Sequence, residues 1–289
     1  MADYFRVAHY YRPRGLEEAI DCLAKGGADA RLLAGGTDLL NQKPSDPMTL
    51  VDISGLALAG IDKEDQGLVI GAGTTINQVR RSPLLADGPY GILPEAADCH
   101  STATIRNMAT IGGNLCNASP CADLALPLLV LDAGLIVAGP DGERTIALAE
   151  FFRHVNHTAL KPSEILLKIT LPPGRESAGW SFLKLRRHQT AVDIALVNVA
   201  TLLEVSDGVI CDSRIAMGSV APTPMRAFEA ETLLIGQKAS PDLFRKAALA
   251  AADASKPIDD VRTTASYRKK MTAVLVRRSL EASLARCAA

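Results

Sequence analysis

Apolar and polar positions along the chain fall into a few repeating patterns. Leu16, Ala19, Ile20 and Leu23 recur on one face at helical spacing until Gly26-Gly27 ends the run, which predicts an amphipathic helix over residues 15–25. Short apolar runs at 30–34 and 49–53, separated by a polar loop over 41–47, make a β-α-β-like start. The pattern then predicts a strand at 68–71, helices at 76–85 and 92–97, an irregular glycine-rich stretch at 109–120 and a helix at 122–132. A hairpin follows, with strands at 135–138 and 145–148 around Pro140-Asp141-Gly142, whose backbone preferences suit a tight turn. One more strand, 164–171, ends at Pro172-Pro173-Gly174.

The run from Pro172 to Gly179 is the best domain boundary, because the pattern changes after it. Three strands, at 180–186, 194–205 and 209–219, are expected to form an antiparallel meander, and helices at 225–235, 241–255 and 267–286 close the chain. Strands followed by helices argue for an α+β domain. The expected division is therefore residues 1–175, made of a small lobe (1–55) and a larger lobe (56–175), followed by a C-terminal α+β domain at 176–289.

Composition excludes more than it assigns. With 289 residues, 48% of them apolar, the chain can bury a substantial core. Its 31 basic and 32 acidic residues nearly cancel and no basic run stands out, so the footprint of a nucleic-acid binder is absent. The opening segment MADYFRVAHYYRPRG reads as neither a secretory signal nor an anchor, and a cytoplasmic location is expected. The most apolar stretch, 124–138, is broken by Pro127, Asp132 and Gly134 and is too short to span a bilayer. Six scattered cysteines read as reduced thiols; Cys116 and Cys121 lack a second pair, and His154 and His157 lack a third ligand, so no metal site is expected.

The sharpest local chemistry lies in two glycine pairs. In the first, the apolar run through Leu33 and Ala34 meets Gly35-Gly36 and then Thr37, Asp38 and Leu39. Adjacent glycines let successive backbone N–H groups face one concavity with no Cβ in the way, which suits a diphosphate. No lysine or arginine sits in this turn, so it is not a P-loop. The Thr37 hydroxyl and the Asp38 carboxylate are expected to brace the turn by accepting from loop amides. The second pair, in Thr110-Ile111-Gly112-Gly113-Asn114, repeats this chemistry, and the two turns together would clamp one diphosphate from both sides. Taken singly, the first turn is also explained by a plain strand-turn. A third glycine segment, Gly71-Ala72-Gly73, lacks the last glycine of a dinucleotide fingerprint and reads as a loop bordering the site.

Taken together, Leu33-Ala34-Gly35-Gly36-Thr37-Asp38-Leu39, Arg106-Asn107-x-Ala109-Thr110-Ile111-Gly112-Gly113-Asn114 and Asn117-Ala118-Ser119-Pro120-x-Ala122-Asp123 closely resemble the FAD-binding medium subunit of the bacterial molybdenum hydroxylases, the family of xanthine dehydrogenase and aerobic carbon monoxide dehydrogenase. The resemblance spans essentially the whole chain. It implies a two-lobed FAD-binding domain of the vanillyl-alcohol-oxidase-like (PCMH-type) class, followed by a C-terminal domain of a three-stranded antiparallel sheet with a helical bundle. It implies partner chains as well: a small subunit with [2Fe–2S] clusters and a large subunit with molybdopterin cytosine dinucleotide, as a dimer of heterotrimers. Electrons would pass from the clusters through FAD to NAD+, oxygen or a quinone. Carried over by residue, Leu33 to Leu39, Thr110, Gly113 and Asn114 would hold the diphosphate, and Asp123 the ribityl chain. Leu166 or Leu167 would border FAD, and Lys184 would stand near the flavin ring, where its charge would stabilise reduced anionic flavin. Asp123 as a helix-dipole residue and Lys184 as a surface lysine are the plainer alternatives. Two departures from the family pattern stand out: the segment from Lys184 to Asp193 is one residue longer, and Cys121 replaces a small apolar residue. The competing function is a self-contained flavin oxidoreductase with its own substrate site.

Overall fold

A computed structural model describes residues 6–42, 47–174, 177–188 and 193–287. The start of the opening segment, part of the 41–47 loop, Arg175 and Glu176 of the boundary run, and the middle of the segment from Lys184 to Asp193 lie outside those residues.

The first sheet contains β1 (Val7–Tyr11), β2 (Ala30–Leu33) and β3 (Met48–Asp52), all parallel in the order β1-β3-β2, with α1 (Leu16–Gly26) crossing between β1 and β2. The central strand β3 is buried at every position, as expected of a strand covered on both faces. Helix α1 buries Ala19, Ile20 and Leu23, and each buried large aliphatic contributes about 1.5–3 kcal/mol. Strand β1 escaped the sequence reading because all five of its residues are exposed at the sheet edge, leaving no alternation to detect.

The second sheet is antiparallel, in the order β4-β5-β10-β6-β7. It contains β4 (Ile61–Glu64), β5 (Gly67–Gly71), β6 (Gly134–Gly139), β7 (Gly142–Ala147) and β10 (Ile165–Leu171), with the small ribbon β8 (Phe152–His154) and β9 (His157–Thr158) before β10. Five helices lie between β5 and β6: α2 (Ile76–Arg81), α3 (Ile92–Asp98), α4 (Ala103–Met108), α5 (Ile111–Cys116) and α6 (Ala125–Val130). Helix α2 stops short of the expected end because the chain turns out of it ahead of Pro83. The stretch expected to be irregular holds α5, with Gly112 and Gly113 inside its first turn; Thr110 caps it, overriding the poor helix propensity of glycine.

The C-terminal sheet has four strands, not three: β11 (Gly179–Leu185), β12 (Val197–Ser206), β13 (Val209–Gly218) and β14 (Met225–Arg226), antiparallel in that order. Two residues give no periodicity, so the helix that the pattern predicts over 225–235 starts with β14 and is helical only from α7 (Phe228–Leu234). Helices α8 (Pro241–Ala254) and α9 (Ala265–Cys287) follow. Strand β12 is buried along most of its length and splits by parity. Val197, Val199 and Leu203 face the helices α7 to α9, whereas Ala200 and Leu202 join the apolar core of the second sheet.

Candidate functional site

Strand β2 ends at Leu33, and the chain reverses through Gly36, whose φ of +69° is a conformation that side-chain-bearing residues rarely adopt. Leu40 N donates to the Gly36 carbonyl at 3.1 Å, and Asn41 Nδ2 donates to the Thr37 carbonyl at 2.7 Å. That amide, rather than the Thr37 or Asp38 side chain, braces the turn; Asp38 is exposed and caps nothing. Among the described residues, the backbone N–H groups of Gly35, Gly36, Thr37, Asp38 and Leu39 have no protein acceptor. Five free amides on a turn that lines the cavity suit an anionic ligand.

Gly35 is required for a different reason. A Cβ there would lie 1.9 Å from the Met108 carbonyl oxygen at the end of α4, so its absence lets the two lobes close against each other.

The second glycine pair is not a copy of the first. Ile111 N and Gly112 N each donate at 2.9 Å, to the carbonyls of Thr74 and Ala72, and Gly113 N donates to Thr110 Oγ1 at 3.0 Å. A Cβ on Gly112 would come within 2.7 Å of Ala72. These amides are therefore already satisfied, and the motif offers side chains instead. Asn114 Oδ1 is buried and has no hydrogen-bond partner in the protein. Leaving such an oxygen unpaired costs about 1–3 kcal/mol, so the wall fits a ligand that donates there.

Both motifs line one cavity of about 570 Å³ between the first and second sheets, within the size range of cofactor sites. Its wall includes Ala34, Gly35, Gly36, Thr37, Asp38 and Leu39 on one side. Thr110, Gly113 and Asn114 stand on the other, with Leu166 and the loop residues Ala72 and Gly73 between. Leu33 and Leu167 do not line it; Leu167 packs into the core of the first lobe.

The sequence reading missed His100, Cys116, Asn156, Lys161 and Glu164 in this wall. Asn156 alone carried a local signal, as an asparagine in a two-residue turn with φ of +57°. The others arrive from distant elements. Arg31 and Lys161 also line the cavity, with Arg31 Nη1 donating to the Ala28 and Ala30 carbonyls and Lys161 Nζ paired with Asp141. Burial pushes the Cys116 thiol up to about 12, so it stands as a protonated wall residue and not as a nucleophile.

Asp123 and Lys184 lie behind this wall, not in it. The register of β11 on β12 pairs Lys184 with Asn198, and both project from the sheet face that meets the second lobe. Lys184 Nζ donates to Asp123 Oδ2 at 2.7 Å and Asn198 Nδ2 to Oδ1 at 3.3 Å. The Lys184 and Asp123 side chains are only 3% and 5% exposed, so this is a buried ion pair joining the two halves of the chain. His100 Nδ1 lies 3.3 Å from the same Asp123 oxygen.

The family model described as the FAD binding domain in molybdopterin dehydrogenase matches residues 4–174, and that of the CO dehydrogenase flavoprotein C-terminal domain matches residues 180–283. The chain is 33% identical to the carbon monoxide dehydrogenase medium chain of Hydrogenophaga pseudoflava, across 96% of this chain and 98% of that one. It is 37% identical to a putative xanthine dehydrogenase FAD-binding subunit of Escherichia coli, across 78% and 79%. A solved carbon monoxide dehydrogenase structure from Hydrogenophaga pseudoflava superposes with a TM-score of 0.94 at 34% identity, covering 98% of each chain.

Proposed function

The chain belongs to the FAD-binding medium subunits of the molybdenum hydroxylase family, and from that premise we propose that the cavity between its first two sheets holds FAD. The unpartnered Asn114 oxygen and the five free amides of the Gly35 to Leu39 turn, on residues that line the same cavity, are the observation that carries this reading.

The turn at Gly35 to Leu39 would hold the diphosphate by amide dipoles. Asn114 would accept from a hydroxyl of the ribityl chain, and Leu166 would border the cofactor. When bound, FAD supplies the redox chemistry that passes electrons from iron–sulfur clusters in a partner chain to NAD+, oxygen or a quinone. The protein's own task is to fix position and exclude water from the contacts it makes. The partners are a small [2Fe–2S] subunit and a large molybdopterin subunit, assembled as a dimer of heterotrimers.

An absorption spectrum of the native assembly, with its subunits resolved on a gel, tests this. Flavin and iron–sulfur bands from three kinds of chain are expected. A yellow preparation of this chain alone that oxidises a substrate unaided would instead establish the self-contained flavin oxidoreductase.

A further inference from the structure

Asp123 is the residue from which a ribityl contact is expected by resemblance, yet its carboxylate is buried and already occupied. It accepts from Lys184 Nζ, from Asn198 Nδ2 and at Oδ2 from the His100 ring. His100 does line the cavity, and its side chain is 18% exposed against 5% for Asp123. A carboxylate oxygen can only accept, so the His100 nitrogen beside it, Nδ1, must carry the proton. The other ring nitrogen, Nε2, makes no hydrogen bond among the described residues.

The loop that carries His100 is held from several directions. Arg106 donates to the His100 and Ser101 carbonyls at 2.8 Å each, and Lys184 and Arg186 reach the Cys99 carbonyl at 3.3 and 3.1 Å. Ser101 is itself at a φ of +43°. An imidazole on so constrained a backbone, with one nitrogen pinned by a buried carboxylate, has its ring orientation set before any ligand arrives.

We propose that His100 is a cofactor-contacting residue: Asp123, neutralised by Lys184, fixes the ring so that Nε2 accepts a hydrogen bond from a hydroxyl or N–H of the bound FAD. The C-terminal domain thereby takes part in cofactor binding although none of its described residues lines the cavity. Asp123 and Lys184 act as positioning residues, one and two steps behind the contact. The inference rests on FAD being the occupant of the cavity.

The test uses His100→Gln, His100→Asn and His100→Phe in the full-length chain freed of flavin, titrated with FAD by fluorescence quenching. A glutamine carries its amide at the place of Nε2, and an asparagine carries its own at the place of Nδ1. H100Q should bind FAD within about threefold of the wild type, whereas H100N and H100F should each bind about tenfold more weakly, the loss of one hydrogen bond. Urea unfolding without FAD should leave H100N near the wild type, because it keeps the bond to Asp123. The inference is overturned if H100N retains affinity while H100Q loses it, which is the signature of a prop for the loop, or if all variants bind alike. A wild-type chain that takes up no FAD would instead sink the cofactor reading, and this inference with it.

Discussion

Asn114 lines the cavity and has a buried oxygen that nothing among the described residues satisfies, and that oxygen gives opposite predictions for stability and for binding. Asn114→Leu should leave the flavin-free chain as stable as the wild type or about 1 kcal/mol more so, since an unpaired buried acceptor is removed. The same variant should bind FAD about tenfold more weakly in a fluorescence titration. Loss of stability without loss of binding would mean that the side chain serves the fold alone. Gly36 behaves differently. Its Cβ would meet the Leu33 and Leu40 side chains rather than the cavity, so Gly36→Ala acts through its φ of +69°. A cost of about 1–2 kcal/mol is expected in urea unfolding.

Elements are joined at two places where a single contact decides the geometry. The approach of the β2 turn to the end of α4 depends on Gly35, because a methyl there would collide with the Met108 carbonyl. Gly35→Ala should therefore lower the thermal midpoint and FAD affinity together, by prising apart the two walls of the cavity. The other joint is Glu164, at the head of β10, which accepts from Arg144 Nε and Nη2 at 2.8 Å each and from Lys161 N at 2.7 Å. The Arg144 hydrogen bonds hold this carboxyl below its ordinary value, against the opposing effect of burial. A lowered value in the folded state means that its stabilisation is complete above the ordinary 4.5 and is lost as pH falls through the lowered one. Urea midpoints measured from pH 7 down to pH 3 should fall less steeply in Glu164→Gln than in the wild type over the acid end; equal slopes would remove Glu164 from the account.

At the scale of the whole molecule, the boundary seen in the chain is not a boundary in the packing. Phe182, Ala200, Leu202 and Ala216 of the C-terminal sheet share one apolar core with α3, α6 and β10. Through that joint runs the buried pair of Lys184 and Asp123. Lys184→Met should destabilise the chain by about 3–5 kcal/mol, because it strands a buried carboxylate. Adding Asp123→Asn should recover a large part of that loss, and a double variant as unstable as the single one would contradict the pairing. The sequence by itself determined the family, a mixed helix-and-strand fold, the amphipathic helix and the glycine turn at Gly35-Gly36, since periodicity and turn chemistry are local properties. It also marked Asn114, although not the reason for its importance. Only the tertiary structure decided that Ile111 and Gly112 give their amides to the 72–74 loop, that a fourth strand completes the C-terminal sheet, and that His100 stands in front of Asp123. Each of these depends on which carbonyl, strand edge or carboxylate is brought alongside from tens of residues away, and no local pattern records that.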